Sequence, residues 1–316
     1  MDFLSIHIIV KWLRVKPFSV TILCTMTTES DSDRFTKIYI TLWGICIFVA
    51  LIALIFYKLG YRFTNQFEPV KVGSIELFSN EENLQIFLNN REQRVPMENS
   101  RYVLRNVTPG LHSVVVSKDG FWPWAKTLSV TQNNTRTLYP FVFPTQGLLV
   151  KAVPTNTPEY RYAIKTINES FLPEPKPGSP PLLPDESLKT WLDSYVPSRK
   201  LSLDKSTALY VEDSAIYVAW ISETEPSPHY FCLENPCKLK IPVVVPNEPI
   251  KSVDFYKGRR EIILFVAGAA IYAIEVDREG TQNFQPLFRG KDPYFYQTET
   301  GIVYIKDGNS IFSATL

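Results

Sequence analysis

A chain of 316 residues is long for one domain and suggests two, each able to bury a core of its own. A formal net charge of +1 excludes the basic stripe expected of a nucleic-acid binder, and the lone KGRR at 257–260 reads as a solvated turn. Aromatics at 13% with 24 Pro fit a β-rich, turn-rich protein, while only 13 Gly exclude fibrous and low-complexity classes.

Residues 1–37 read as a cytoplasmic tail, with two candidate starts, Met1 and Met26, so that 1–25 stand apart from the fold reasoning. A lipoprotein signal fails there because Leu23 precedes Cys24, and no small-x-small site follows an apolar stretch of signal-peptide length. The stretch at 38–57, opening on Ile38 and closing on Tyr57, reads IYITLWGICIFVALIALIFY and carries no charge. At about 1.5 Å per residue its twenty residues match a bilayer core, which predicts a single membrane-spanning helix. Arg34 and Lys37 flank one end and Lys58 and Arg62 the other, with Tyr39, Trp43, Tyr57 and Tyr61 available for the interfacial belts. A start at Met1 adds Lys11, Arg14 and Lys16 to the amino-terminal side and favours a cytoplasmic amino terminus; a start at Met26 removes that bias.

Short alternating runs follow between residues 68 and 144, near 73–78, 84–88, 102–104, 111–117, 125–130 and 135–143, parted by SNEEN, NNRE, TPG, KDG and TQNN. Pro109-Gly110 and Asp119-Gly120 each predict a chain reversal, and strands this closely spaced predict a small β-sandwich. Within this stretch, Leu104 leads at fixed spacing to Pro109-Gly110, His112-x-Val114-x-Val116 follows, and Lys118-x-Gly120-Phe121 closes it. Over residues 83–144 the chain thereby resembles a PEGA domain. It departs from that family at Asn89-Asn90-Arg91 and Val95-Pro96, where the family has Pro and a Gly-containing turn. The resemblance implies a Greek-key-like β-sandwich without catalytic residues, commonly outside the membrane and appended to other modules. His112 then reads as a strand residue packing at the turn, since no His, Cys or carboxylate stands at metal spacing from it. The turn Phe121-Trp122-Pro123-Trp124 offers Phe121, Trp122 and Trp124 as a contact surface, against the alternative that these rings cover the core or pack on the next domain.

From 145 to 200 the chain is a proline-rich connection: nine Pro fall between 153 and 200, and PEPKPGSPPLLP at 173–184 should be extended and semi-rigid. GLLVKAV and YRYAIKTI, between 147 and 167, are expected to supply strands of a fourth sheet. Leu188, Trp191, Leu192 and Tyr195 recur at helical spacing behind Asp185 as a cap and are read as docking the linker onto the next domain.

Residues 201–316 carry a repeat. Copies beginning at Leu201, Val253 and Tyr294 each hold a strand-like start, a polar turn, an apolar strand and a strand centred on Ile216-Tyr217, Ile271-Tyr272 or Ile311-Phe312, pairs 55 and 40 residues apart. That rhythm predicts a partial or degenerate β-propeller. It resembles the TolB-like or WD-repeat class in rhythm, without the Gly-His or Trp-Asp pairs. The fold class expected is therefore mainly β: a single transmembrane helix, a small Greek-key sandwich and a propeller-like domain.

Cys232 and Cys237 in FCLENPC bracket a turn-forming Asn235-Pro236 and are read as a disulfide in an oxidising compartment, or as two reduced thiols were the domain cytoplasmic; with His229, three residues before, they make only an incomplete metal site. The Asn-x-Thr/Ser triplets at Asn106, Asn133 and Asn168 are read as turn residues unless the host glycosylates. No nucleophile elbow, phosphate loop or HExxH occurs; His7, His112 and His229 are the only histidines, and Glu212, Asp213 and Asp292 read as solvated. No catalytic residue, metal or cofactor is assigned. The expectation is a non-catalytic binding or structural protein of the cell envelope, anchored by one pass with its carboxy-terminal domains outside, meeting envelope proteins or a cell-wall polymer. The alternative is an accessory or sensor subunit of an envelope enzyme complex.

Overall fold

A computed structural model describes residues 32–63, 68–79, 81–170, 172–182 and 187–315. The stretch through residue 31, with His7, Cys24 and Met26, and the expected cap Asp185 lie outside the described residues. The chain divides into two units, Met1–Leu59 and Gly60–Leu316.

In the first unit, helix α1 covers Ser32–Lys58. Its segment Ile38–Lys58 is long and apolar enough to cross a membrane. Ile40, Phe48 and Val49 are all more than half exposed, a surface suited to lipid rather than water. Tyr39 and Trp43, one turn apart, pack ring on ring at 6.3 Å.

The second unit is mainly β. It opens with the antiparallel pair β1 (Tyr61–Phe63) and β2 (Pro69–Lys71). Seven strands follow: β3 (Gly73–Phe78), β4 (Gln85–Leu88), β5 (Arg91–Gln93), β6 (Arg101–Val107), β7 (Gly110–Ser117), β8 (Trp124–Val130) and β9 (Thr135–Leu138). They form two sheets, ordered β6-β3-β9 and β5-β4-β7-β8, with β3 and β9 parallel. Strict alternation along β3, β7 and β8 turns Ile75, Leu77, Val114, Val116, Trp124 and Leu128 inward to a common core. Asn89 and Asn90 connect β4 to β5, both left-handed at φ 50 and 62, a conformation asparagine tolerates in a two-residue hairpin turn. Asp119-Gly120 joins β7 to β8 within one sheet, but Pro109-Gly110 carries the chain from β6 in one sheet to β7 in the other. His112 fixes that crossover: its Nε2 donates to the Thr108 carbonyl at 2.6 Å and its Nδ1 accepts from the Asn89 amide at 2.8 Å.

Three four-stranded antiparallel sheets follow. The first comprises β11 (Lys200–Leu201), β12 (Thr207–Glu212), β13 (Ala215–Trp220) and β14 (Lys240–Val244); the second β15 (Ile250–Tyr256), β16 (Arg259–Ala267), β17 (Ala270–Glu275) and β18 (Phe284–Arg289). The third runs β19 (Pro293–Gln297), β20 (Ile302–Asp307) and β21 (Ser310–Thr315), and its outer strand is β10 (Lys151–Ala152), from before the other two sheets. The repeated pairs Ile216-Tyr217, Ile271-Tyr272 and Ile311-Phe312 fall on β13, β17 and β21, the third strand counted from the start of each sheet. In the first two sheets the register shifts at that pair, and the tyrosine stands opposite Pro242 and Pro286 on the outer strand. Proline suits those outer strands because it has no amide to give a ladder.

The expected fourth sheet does not form. YRYAIKTI lies in helix α2 (Pro158–Glu169), because Thr157 caps the amide of Tyr160 at 3.2 Å, Pro158 sits in the first turn, and Ala163 and Ile167 share one buried face. Helix α3 (Leu188–Tyr195) lies where helical spacing places it. These helices end a stack of layers. Leu188, Trp191 and Leu192 of α3 cover Ala208, Tyr210 and Ala219 of the first sheet; Leu209, Val211 and Val218 on its other face meet Ile263 and Phe265 of the second. Ile262 and Leu264 turn the opposite way, sharing a core with Val303 and Ile305 of the third sheet, whose far face, with Tyr304 and Ile311, packs on Ala163 and Ile167 of α2. The run IILFVA in β16 is buried on both faces, and its unbroken apolar sequence follows from that central place. The proline run is docked as well: the Pro173 carbonyl accepts from Val211 of β12 at 2.8 Å, and the Pro180 carbonyl from the Trp191 indole at 2.9 Å.

The stretches 68–144 and 201–316, expected as separate domains, belong to one compact unit. Ile75, Val114 and Trp124 of strands β3–β9 share a continuous apolar core with Leu264, Leu287 and Ile305 of the later sheets.

Candidate binding groove

A loop at 277–283, between β17 and β18, joins these halves and builds the most distinctive polar region of the molecule. It lies along the free edge of β8 and satisfies that edge with side chains. Asn283 accepts from the Ala125 amide and donates to the Ala125 carbonyl, each at 2.9 Å, as a paired strand would. Gly280, at φ +61, sits so close that a Cβ would lie 2.2 Å from the Thr127 carbonyl oxygen. Gln285 continues the pattern, accepting from the Phe143 amide at 3.1 Å.

Under this loop Lys126 is completely buried. Its ammonium donates to the Asp277 carbonyl at 2.8 Å and lies 3.2 Å from the Glu275 carboxylate and 3.3 Å from that of Asp277. Burial pushes the Glu275 carboxyl up to about 7, against the opposing pull of Lys126 and of the Asn283 amide, which donates to it at 2.6 Å.

Beside the loop opens a groove of about 520 Å³ lined by Ser129, Thr131, Arg136, His229, Leu233 and Glu279, among others. Three parts of the chain meet there: the β8–β9 turn, the loop, and the segment from the 3₁₀ turn at His229–Phe231 to Cys237. Arg136 of β9 donates to the Glu279 carboxylate and, at 3.3 Å, to the Ser129 carbonyl. His229 Nε2 lies 3.2 Å from the same Glu279 carboxylate. Burial alone would raise the Glu279 carboxyl, yet the hydrogen bonds from His229 and Arg136 outweigh it and hold it at about 2. Such a carboxylate stays ionised, and the guanidinium it neutralises is spent on it. The groove therefore presents compensated charge, hydroxyls and an apolar wall.

Cys232 and Cys237 are joined by a disulfide, which closes the loop carrying the half-exposed Leu233. Of the aromatic turn, Trp124 is fully buried and lies in the core, so it offers no contact surface. Phe121 is half-buried under the Lys118 ammonium at 4.7 Å, and Trp122 is 37% exposed. None of the three lines the groove. Glu212 is paired with Lys240 and Asp292 with Lys251 at 2.5 Å. Of the asparagines read as turn residues, Asn133 is one, left-handed at φ 54 between β8 and β9, whereas Asn106, at φ 61, lies within β6 where its register with β3 shifts, and Asn168 lies in α2. Among the described residues no group of three or more His, Cys, Asp or Glu side chains is placed to hold a metal ion.

Local spacing in the sequence marks Cys232 and Cys237, and offers His229 only as an incomplete metal ligand; it does not mark Arg136 and Glu279, which come together from 143 residues apart. No family model and no curated protein matches this chain.

Proposed function

We propose that the protein is a membrane-anchored, non-catalytic binding protein of the cell envelope, held by one pass of α1 with its β unit outside the cytoplasm. The observation that carries this reading is the groove closed on one side by the Cys232–Cys237 disulfide, since such bonds persist in oxidising compartments. Binding is favoured over acid–base catalysis because Glu279, the groove's own carboxylate, is held near 2, far from the pKa that proton transfer at neutrality requires. Leu233, on a loop stiffened by a disulfide, is a preordered apolar anchor for an envelope partner or polymer.

The finer architecture is part of the same reading. Strands β3–β9 make a PEGA-like sandwich, supported by their two-sheet arrangement and by the Pro109-Gly110 crossover fixed by His112. The three sheets are propeller-like units in an unclosed stack, supported by their repeated register shift and by β10 completing the last sheet from upstream.

Protease shaving of intact cells carrying a carboxy-terminal tag, with photo-crosslinkers placed at Thr131 and at Asp213, tests the reading. We expect the tag to be lost from intact cells and Thr131, not Asp213, to capture a discrete envelope component. A tag protected until the membrane is broken, or equal capture at both positions, overturns it.

A further inference from the structure

Two carboxylates, the buried Glu275 and the partly exposed Asp277, face a single buried ammonium, Lys126. Among the described residues no other cation is paired with either acid. On the neighbouring strand β16, Glu261, whose carbonyl accepts from Val276, is engaged by Arg259 at 3.4 Å and Arg260 at 3.7 Å, while Arg136 from β9 and His229 from the 3₁₀ turn are both spent on Glu279. Arg278, in the loop itself, donates to the Pro242 carbonyl at 3.2 Å. A proton on Glu275 leaves the cluster neutral; with Glu275 ionised as well it carries an uncompensated negative charge around a buried carboxylate, a costly arrangement.

We propose that residues 276–284 form a proton-held latch between β8 and the second sheet, clamped while the Lys126–Glu275–Asp277 cluster keeps one proton and loosened when that proton leaves. The consequence falls on the groove, because Glu279, which gathers Arg136 and His229 into its wall, lies in the same loop two residues beyond Asp277. The carboxyl that burial pushes up to about 7 is Glu275, which Asn283 also holds by its amide, so the proton is lost near neutrality and from the residue at the centre of the clamp. The sign is fixed by geometry: alkali loosens the latch and acid tightens it.

This regulation rests on the groove reading for its purpose but not for its detection, which needs no ligand. Hydrogen exchange of the full chain in detergent, corrected for the intrinsic effect of pH, reads it over segment 276–284 and β8. We expect exchange there about tenfold faster at about pH 8.5 than at about pH 6, with sheets away from the loop unchanged. Glu275→Gln removes the dependence and keeps the segment protected throughout. Asp277→Asn, leaving one carboxylate for one ammonium, moves the dependence to lower pH and serves as the second variant should Glu275→Gln fail to fold. Equal protection of the wild-type segment at both pH values, or a Glu275→Gln protein with undiminished dependence, overturns the latch; failure of the crosslinking above with the exchange result intact overturns only the binding reading.

Discussion

Lys126 is the side chain on which the junction most depends. A fully buried ammonium survives only with partners, and its removal strands both Glu275 and Asp277. Lys126→Met should therefore cost about 3–5 kcal/mol, read as a lowered chemical-denaturation midpoint. A second prediction at this scale concerns Glu279. Its carboxyl lies below the ordinary 4.5 when folded, at about 2, so its contribution is present above 4.5 and disappears as pH falls through 2. Thermal melts along an acid series should show wild type losing stability across that window and Glu279→Gln, already without the contribution, losing less.

Among the elements, α3 has a role its eight residues do not suggest: with α2 it ends a stack of sheets whose outer faces would otherwise lie bare. Trp191→Ala should cost about 3–5 kcal/mol and expose segment 172–196 to proteases, measurable by limited digestion. This scale also marks what was legible in the chain. The third strands of the three sheets were, because each centres on an apolar-aromatic pair in a β-rich run. Helix α3 was, through Leu188, Trp191 and Leu192 at helical spacing. Helix α2 was not: Tyr160, Tyr162, Ile164 and Ile167 favour strands by type, and the contrary signal, Thr157-Pro158 as cap and first turn, was outweighed. Pro242 and Pro286 escaped notice because their equivalence lies in which tyrosine they face. The groove was half legible: a short spacing announced the disulfide, but nothing local marks Arg136 or Glu279, which only the packing of the two halves brings together.

For the molecule as a whole, the shared core that runs from Ile75 to Ile305 makes the β unit one cooperative body despite its two kinds of sheet. Calorimetry of the full chain should record one unfolding transition for it; two resolved transitions would show that the junction transmits little. The strand order of the third sheet carries this unity into biosynthesis. Strand β10 and helix α2 leave the ribosome early, yet the strands they pack on, β20 and β21, are the last described. Until those arrive, the apolar face of α2 has no bed and the first two sheets have no third to cover Ile262 and Leu264. The nascent β unit thus stays incomplete until β20 and β21 are made, and a premature stop before β20 should yield a chain that quality-control proteases recognise rather than a smaller folded one.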